Sequence, residues 1–161
     1  MLSGVEVADI LRSIGVSHVL TVPDSTIGQW EHDIESAGIQ LIRVCREGEA
    51  WTIAGGLYLG GASPLVLIQC TGLFESGDAL RNTLHEWKLP IYAIIGYRSY
   101  LNQENLPGDT SLVFTEPILA AWKLDVRFIR SRAQVGEIAE HYRACRAANI
   151  PGVALLAEGR S

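Results

Sequence analysis

Short runs of branched apolar residues alternate with helix-forming segments along the whole chain, and this alternation strongly constrains the fold. It is typical of a parallel sheet covered by helices. The run from Leu65 to Gln69 is almost entirely apolar, as expected for a strand covered on both faces. We therefore predict an α/β fold: a doubly wound, mostly parallel six-stranded sheet with helices on both faces. The predicted strands are His18 to Val22, Gln40 to Val44, Leu65 to Gln69, Ile91 to Gly96, Val126 to Ile129 and Val153 to Leu156.

Apolar residues at helical spacing predict the helices between these strands. Tyr97 to Thr115 has no clear period and is predicted to be a long loop, a feature that is usually functional or mobile. Cys70 to Gly77 is predicted to be a loop that enters a helix with Leu80, Leu84 and Trp87 on its inner face. A first helix is predicted to end near Gly15. The other predicted helices span Ile27 to Ala37, about Glu47 to Leu59, the region around Ile118 to Trp122, and Gln134 to Ala148.

The composition fits one domain, residues 1–161, with enough apolar residues (48%) for a substantial core. The net charge of -5 and the lack of a basic cluster give no reason to expect nucleic acid as a partner. Three cysteines without CxxC spacing favour reduced thiols, and no signal peptide or membrane-spanning run is evident. We therefore expect a cytoplasmic location.

Three strand-to-helix junctions meet at one edge of the predicted sheet, because the carboxyl ends of parallel strands lie together. They are Pro23-Asp24-Ser25, Arg46-Glu47-Gly48 and Thr71-Gly72-Leu73-Phe74, and Gly96-Tyr97-Arg98 adds to the same surface. Glycine at such a junction lets the backbone approach a ligand. The residues alone also allow ordinary turns chosen for their geometry.

Glu47 is the carboxylate best placed to act at this edge, since the helix dipole favours a negative charge at the start of a helix. Gly55 and Gly56 cost that helix about 1 kcal/mol each, which suggests close backbone packing. A solvated carboxylate is the alternative, with Glu49 as an equivalent neighbour. Arg98 could bind an anionic substrate by forking onto its oxygens. His18, His32 and His141 show no metal-ligand spacing, so no metal ligand is predicted in this chain.

The stretch Glu47…Ala50…Ala54…Gly56 resembles the catalytic-glutamate helix of the pyrimidine-binding domain of thiamine-diphosphate enzymes. In that family, a glutamate is followed by small residues at these offsets, which selects Glu47 over Glu49. The likeness extends over nearly the whole chain and points to the alpha subunits of sulfopyruvate decarboxylases and to phosphonopyruvate decarboxylases.

The resemblance implies that Glu47 hydrogen-bonds the aminopyrimidine of thiamine diphosphate and so activates the cofactor for decarboxylation of a 2-oxo acid. Pro23, Thr71, Gly72 and Leu73 are then expected to contact the cofactor. Asp24, Phe74 and Arg98 are expected to contact the substrate, for which a small acid with a second anionic group, such as sulfopyruvate or phosphonopyruvate, would suit Arg98.

The family's diphosphate-binding domain has a Gly-Asp-Gly motif that helps to hold Mg²⁺. Gly77-Asp78-Ala79 and Gly108-Asp109-Thr110 lack its third glycine. We therefore expect a separate beta subunit to supply that domain and the Mg²⁺ site, in a hetero-oligomer. Two alternatives remain open: a non-catalytic regulatory or binding subunit, and a thiamine-diphosphate carboligase subunit, because ligation passes through the same carbanion.

Overall fold

The computed structural model describes residues 2–25 and 27–159 as an α/β fold built on one six-stranded sheet. All strand pairs are parallel, in the order β2-β1-β3-β4-β6-β5. The predicted doubly wound fold is therefore confirmed. The strands are β1 (His18–Thr21), β2 (Gln40–Arg43), β3 (Pro64–Gln69), β4 (Tyr92–Tyr97), β5 (Asp125–Ile129) and β6 (Gly152–Ala157).

Helices cover both faces of this sheet. The helices α1 (Gly4–Ser13), α2 (Glu31–Ser36) and α6 (Gly136–Ala148) pack on one face, and α3 (Glu47–Leu59), α4 (Cys70–Arg81) and α5 (Thr110–Ala121) pack on the other. Side chains of β3 alternate between the two cores: Leu65 and Leu67 enter the first, Val66 and Ile68 the second. This alternation explains why the strand is apolar without interruption.

The strand order reverses between β1 and β3, where the chain leaves for opposite faces of the sheet. The segment after β1 leads through the 3₁₀ turn Ile27–Trp30 into α2, and β3 leads directly into α4 on the other face. Such a switch point opens a crevice at the carboxyl ends of the strands, where ligands of doubly wound folds bind. Asp24 and Thr71 stand on its two sides.

Two loop predictions are wrong. The segment from Cys70 to Gly77 is helical from its first residue, because α4 begins at Cys70. The segment from Tyr97 to Thr115 contains the 3₁₀ helix Tyr100–Asn105, and α5 begins at Thr110 rather than near Ile118. Asp109 caps α5 by accepting a hydrogen bond from the N–H of Ser111 at 2.9 Å.

Trp87 does not lie on an inner helix face, as the sequence predicted: it is 59% exposed, whereas Leu80 and Leu84 are buried. Gly77 has non-helical dihedral angles inside α4, and the helix widens into a π turn at Asn82–Glu86. A period of 3.6 residues cannot be extended through these two irregularities. In the part of the chain that the structure describes, every helix is too short or too polar to cross a bilayer.

Candidate functional site at the carboxyl edge of the sheet

Glu47 is the first residue of α3 and stands half-buried at the carboxyl edge of the sheet. Within the part of the chain that the structure describes, its carboxylate has no hydrogen-bond or ion-pair partner. Glu49 is used differently: its Oε2 accepts hydrogen bonds from the N–H groups of Cys45 (3.0 Å) and Arg46 (3.2 Å). Glu49 therefore caps the helix and leaves Glu47 as the carboxylate available to a ligand.

The Glu47 side chain lies directly on the backbone of Gly72, in the first turn of α4. A Cβ built on Gly72 would be 2.5 Å from both Cγ and Oε1 of Glu47, closer than any real contact. Glycine at this position is therefore a steric requirement of the observed Glu47 conformation. The predicted neighbours Glu47 and Gly72 meet, although they belong to different strand-to-helix junctions.

A buried hydrogen-bond chain fixes the two helices one turn further on. The indole N–H of Trp51 donates to Oγ of Ser76 (2.7 Å), and the Ser76 hydroxyl donates to the carbonyl of Gly72 (2.6 Å). Trp51 follows Glu47 by one turn of α3, and Ser76 follows Gly72 by one turn of α4. The chain therefore holds the two helices at the separation that places Glu47 on Gly72.

Glu75 of α4 binds the start of α3 from the other side. Its Oε2 accepts a hydrogen bond from the N–H of Gly48 (2.8 Å), and its Oε1 forms an ion pair with Arg46 (2.6 Å). The N–H of Gly48, helped by Arg46, holds the pKa of Glu75 below its usual value. An ionised Glu75 therefore satisfies a helix N-terminus that contains Glu47.

Arg98 also lies near the first turn of α4, which contains Thr71. It lines an open depression together with Thr71 and the segment from 106 to 111. Asp109 borders the same depression, where hydrogen bonds from Ser111 and Ser99, with a smaller contribution from Arg98, lower its pKa. The structure thus brings together Glu47, Thr71, Gly72 and Arg98 around one helical turn.

The other predicted site residues have less uniform positions. Pro23 is exposed beside the switch-point crevice, and Oδ1 of Asp24 accepts a hydrogen bond from the N–H of Ile27 at 2.8 Å. Phe74 is half-buried on α4. Leu73 is fully buried in the core between α4 and the sheet, so its side chain does not reach the surface of this chain.

Glu158, which the sequence analysis did not identify, also lies at this edge. It follows β6 and is only 2% exposed, and neither of its carboxyl oxygens has a hydrogen-bond partner among residues 2–25 and 27–159. Burial, with a smaller contribution from Asp24, raises the pKa of Glu158 to about 8. An acidic residue directly after an apolar strand was the available sequence signal.

The fold and the site together define a class: a doubly wound α/β domain that presents, at the carboxyl edge of its sheet, the Glu47 carboxylate, for which the described residues provide no partner. Over 93 residues, 56% of this chain, it is 34% identical to "Sulfopyruvate decarboxylase subunit alpha" of Methanococcus maripaludis. It is 29% identical over 93 residues to "Sulfopyruvate decarboxylase" of Methanosarcina acetivorans, and 27% identical over 108 residues to "Phosphonopyruvate decarboxylase" of Streptomyces viridochromogenes. No protein-family model matches the chain.

These similarities confirm the resemblance to sulfopyruvate and phosphonopyruvate decarboxylases. The matched region covers 54% of the Methanococcus alpha subunit. It covers 24% of the Methanosarcina protein and 27% of the Streptomyces protein. The chain therefore spans about half the length of one relative and about a quarter of the other two.

Proposed function

We propose that this chain is the pyrimidine-binding alpha subunit of a thiamine-diphosphate-dependent decarboxylase, and that Glu47 activates the cofactor. The observation that carries the proposal is the half-buried Glu47 carboxylate, which has no partner within the described residues and rests on the Gly72 backbone. The relatives, which are decarboxylases by name, support the reaction class.

The residues present fit the aminopyrimidine end of thiamine diphosphate. Glu47 offers carboxyl oxygens that no group of the described chain occupies, and the lack of a side chain at Gly72 lets the Glu47 side chain lie against the backbone of α4. When bound, thiamine diphosphate supplies a carbanion nucleophile and an electron sink for loss of carbon dioxide. In this proposal, the chain holds the Glu47 carboxyl group, which exchanges a proton, at the pyrimidine nitrogen. Trp51, Ser76 and Glu75 fix the orientation of that carboxyl group by fixing α3 against α4.

A beta subunit is proposed to hold the diphosphate and Mg²⁺, because this chain lacks the Gly-Asp-Gly motif. Exposed apolar side chains on and near α3 support such a partner. Ile53 and Leu59 of α3 are 39% and 68% exposed, and Trp87 is exposed nearby. Apolar side chains on the outer side of the helix that carries Glu47 favour burial against another subunit.

A small 2-oxo acid with a second anionic group is the proposed substrate class. Arg98 is half-buried in the depression next to Thr71. A guanidinium there can bind a sulfonate or phosphonate through two parallel hydrogen bonds.

The deciding experiment is Glu47→Gln in the complex reconstituted with the beta subunit. Glutamine keeps the size of the side chain but cannot exchange a proton, so we expect turnover to fall by roughly 10²–10⁴-fold while assembly is unchanged. Glu49→Gln is the matched control, since an amide oxygen can still accept the capping hydrogen bonds, and its turnover should stay near wild type. Unchanged turnover in Glu47→Gln would refute the assigned role.

Calorimetric titration of thiamine diphosphate with Mg²⁺ tests the division of labour between subunits. We expect binding by the mixture of alpha and beta subunits and little binding by this chain alone. Tight Mg²⁺-dependent binding by the isolated chain would contradict the proposal. A mixture that binds the cofactor and converts two 2-oxo acids into one condensed product and one carbon dioxide, rather than one acid into an aldehyde and carbon dioxide, would identify a carboligase instead.

A further inference from the structure

A cluster of three potential metal ligands lies at the amino edge of the sheet, opposite to Glu47. Asp125 is the first residue of β5, and His141 and Cys145 stand one turn apart on α6. Nε2 of His141 is 3.4 Å from Sγ of Cys145 and 3.3 Å from Oδ1 of Asp125. The three donor atoms all lie within 4.8 Å of one another.

The two separations that involve His141 fit neighbouring ligands of one tetrahedral ion, and the third, between Asp125 and Cys145, is no more than 4.8 Å. With metal–sulfur bonds of about 2.3 Å and metal–nitrogen or metal–oxygen bonds of about 2.0–2.1 Å, neighbouring donors are roughly 3.3–3.6 Å apart. Hydrogen bonding alone satisfies the cluster less well. Nε2 carries either one proton or one lone pair, so it cannot both accept from the Cys145 thiol and donate to Asp125. A cation can bind all three groups at once.

The surroundings of His141 favour a ligand at Nε2. The hydroxyl of Tyr92 is 2.8 Å from Nδ1, so the other ring nitrogen has its own buried partner. Metal-binding histidines are oriented in this way by a group that bonds the second nitrogen. The absence of a side chain at Gly152 is also required, because a Cβ there would lie 2.5 Å from Sγ of Cys145.

The cluster is open on one side. The Asp125 side chain is 53% exposed, whereas the His141 side chain is 5% exposed. An ion could therefore enter past Asp125 and complete its coordination with water. A zinc-bound cysteine is a thiolate, so ion binding would displace the thiol proton of Cys145.

We propose that Asp125, His141 and Cys145 form a binding site for a divalent ion of intermediate softness, with Zn²⁺ as the best match. The mixed sulfur, nitrogen and oxygen donor set selects against Mg²⁺ and Ca²⁺, which prefer oxygen ligands. The bound ion joins α6 to the start of the edge strand β5. The site is independent of the proposed decarboxylase function, since its residues are at the opposite edge of the sheet from Glu47.

The test is metal binding by the untagged, reduced full chain carrying Cys45→Ser, which removes the exposed thiol. After chelation, titration with Zn²⁺ should give one equivalent bound and a higher unfolding temperature. Co²⁺ should give a thiolate-to-metal charge-transfer band. Cys145→Ser should abolish the band, while Cys70→Ser, which removes a buried thiol in the other core, should retain it.

Asp125→Asn is included because Cys145→Ser could fail to fold, whereas a substitution of the largely exposed Asp125 side chain should leave the fold intact. It should weaken Zn²⁺ binding by roughly tenfold or more with the metal-free stability little changed. Tyr92→Phe should weaken binding by roughly 10- to 100-fold. The proposal is overturned if the folded parent chain binds less than one equivalent of Zn²⁺, or if its Co²⁺ complex lacks the thiolate band.

Discussion

The carboxyl group of Glu158 lies against the backbone of Gly96, in the centre of the sheet's carboxyl edge. A Cβ built on Gly96 would be 2.5 Å from Oε1 and 2.7 Å from both Cδ and Oε2 of Glu158. Gly96 is in β4, and Glu158 directly follows β6, the strand that pairs with β4. The buried position of the Glu158 carboxyl group therefore requires that residue 96 has no side chain.

Gly96→Ala is expected to destabilise the protein by about 1–3 kcal/mol, because the added methyl group overlaps a buried side chain that has little room to move. Urea unfolding measures the cost. Gly56→Ala is the matched control: nothing lies within 4 Å of its added Cβ, and replacing glycine inside α3 should stabilise by about 0.4–1 kcal/mol. In the Glu158→Ala background the cost of Gly96→Ala should shrink, and simple additivity would argue against the contact.

Glu158 should make the wild-type protein less stable as pH rises from about 4.3, the ordinary value for glutamate, to about 8. In that window the folded state keeps a proton that the unfolded state has released, so the free energy of unfolding falls with pH. The steepest slope that one proton can give is about 1.4 kcal/mol per pH unit. The slope should disappear in Glu158→Gln and remain in Glu140→Gln, at an exposed position of α6. Parallel curves for wild type and Glu158→Gln would show that this acid is ionised when folded.

Gly72→Ala should impair activity more than stability. The added methyl group meets Cγ and the carboxyl group of Glu47, a flexible side chain that can turn away. Under the proposed function, this displacement removes the carboxyl group from the cofactor, so turnover of the reconstituted complex should fall at least about tenfold. Thermal unfolding of the alpha chain provides the companion measurement. A variant with full turnover would mean that the observed Glu47 conformation is not the working one.

Ser76→Ala should destabilise by about 1–3 kcal/mol, because it leaves the buried indole N–H of Trp51 without its acceptor. Trp51→Phe also removes that donor, although it leaves a smaller ring in the core. The double variant Trp51→Phe/Ser76→Ala should therefore lose less than the sum of the single variants. Chemical denaturation of the four proteins gives the coupling energy, and a value near zero would contradict the hydrogen-bond chain.

The sequence predicted the sheet and α3 well because each had an unambiguous signal. The strands are apolar runs separated by turn residues, and α3 has the bounds predicted for it, with Glu47 at its start. Only the C-terminal part of α5 was predicted, because its apolar residues surround the whole helix, with Val113 and Phe114 exposed, so no single face repeats. The cap formed by Asp109 and Ser111 was the usable sign of its start.

The sequence predicted correctly that the candidate site lies at the carboxyl edge of the sheet, since parallel strands present their carboxyl ends together. The contact of Glu47 with Gly72 could not be predicted, because it depends on how closely α3 and α4 approach. That approach is set by buried partners such as Trp51 and Ser76, whose pairing has no local sequence pattern. Trp87 was assigned wrongly for a related reason: one π turn rotates every later residue around the helix.

Glu47 is positioned by the helix beside it as much as by the strand it follows. Gly48 and Arg46 are bound by Glu75, and Gly72 lies beneath the carboxylate, so α3 and α4 form one mechanical unit. Transplanting the glutamate motif into another α/β scaffold would therefore move the chemical group without its orientation. A functional graft needs both helices and the strand β3 between them, roughly the segment from 46 to 81.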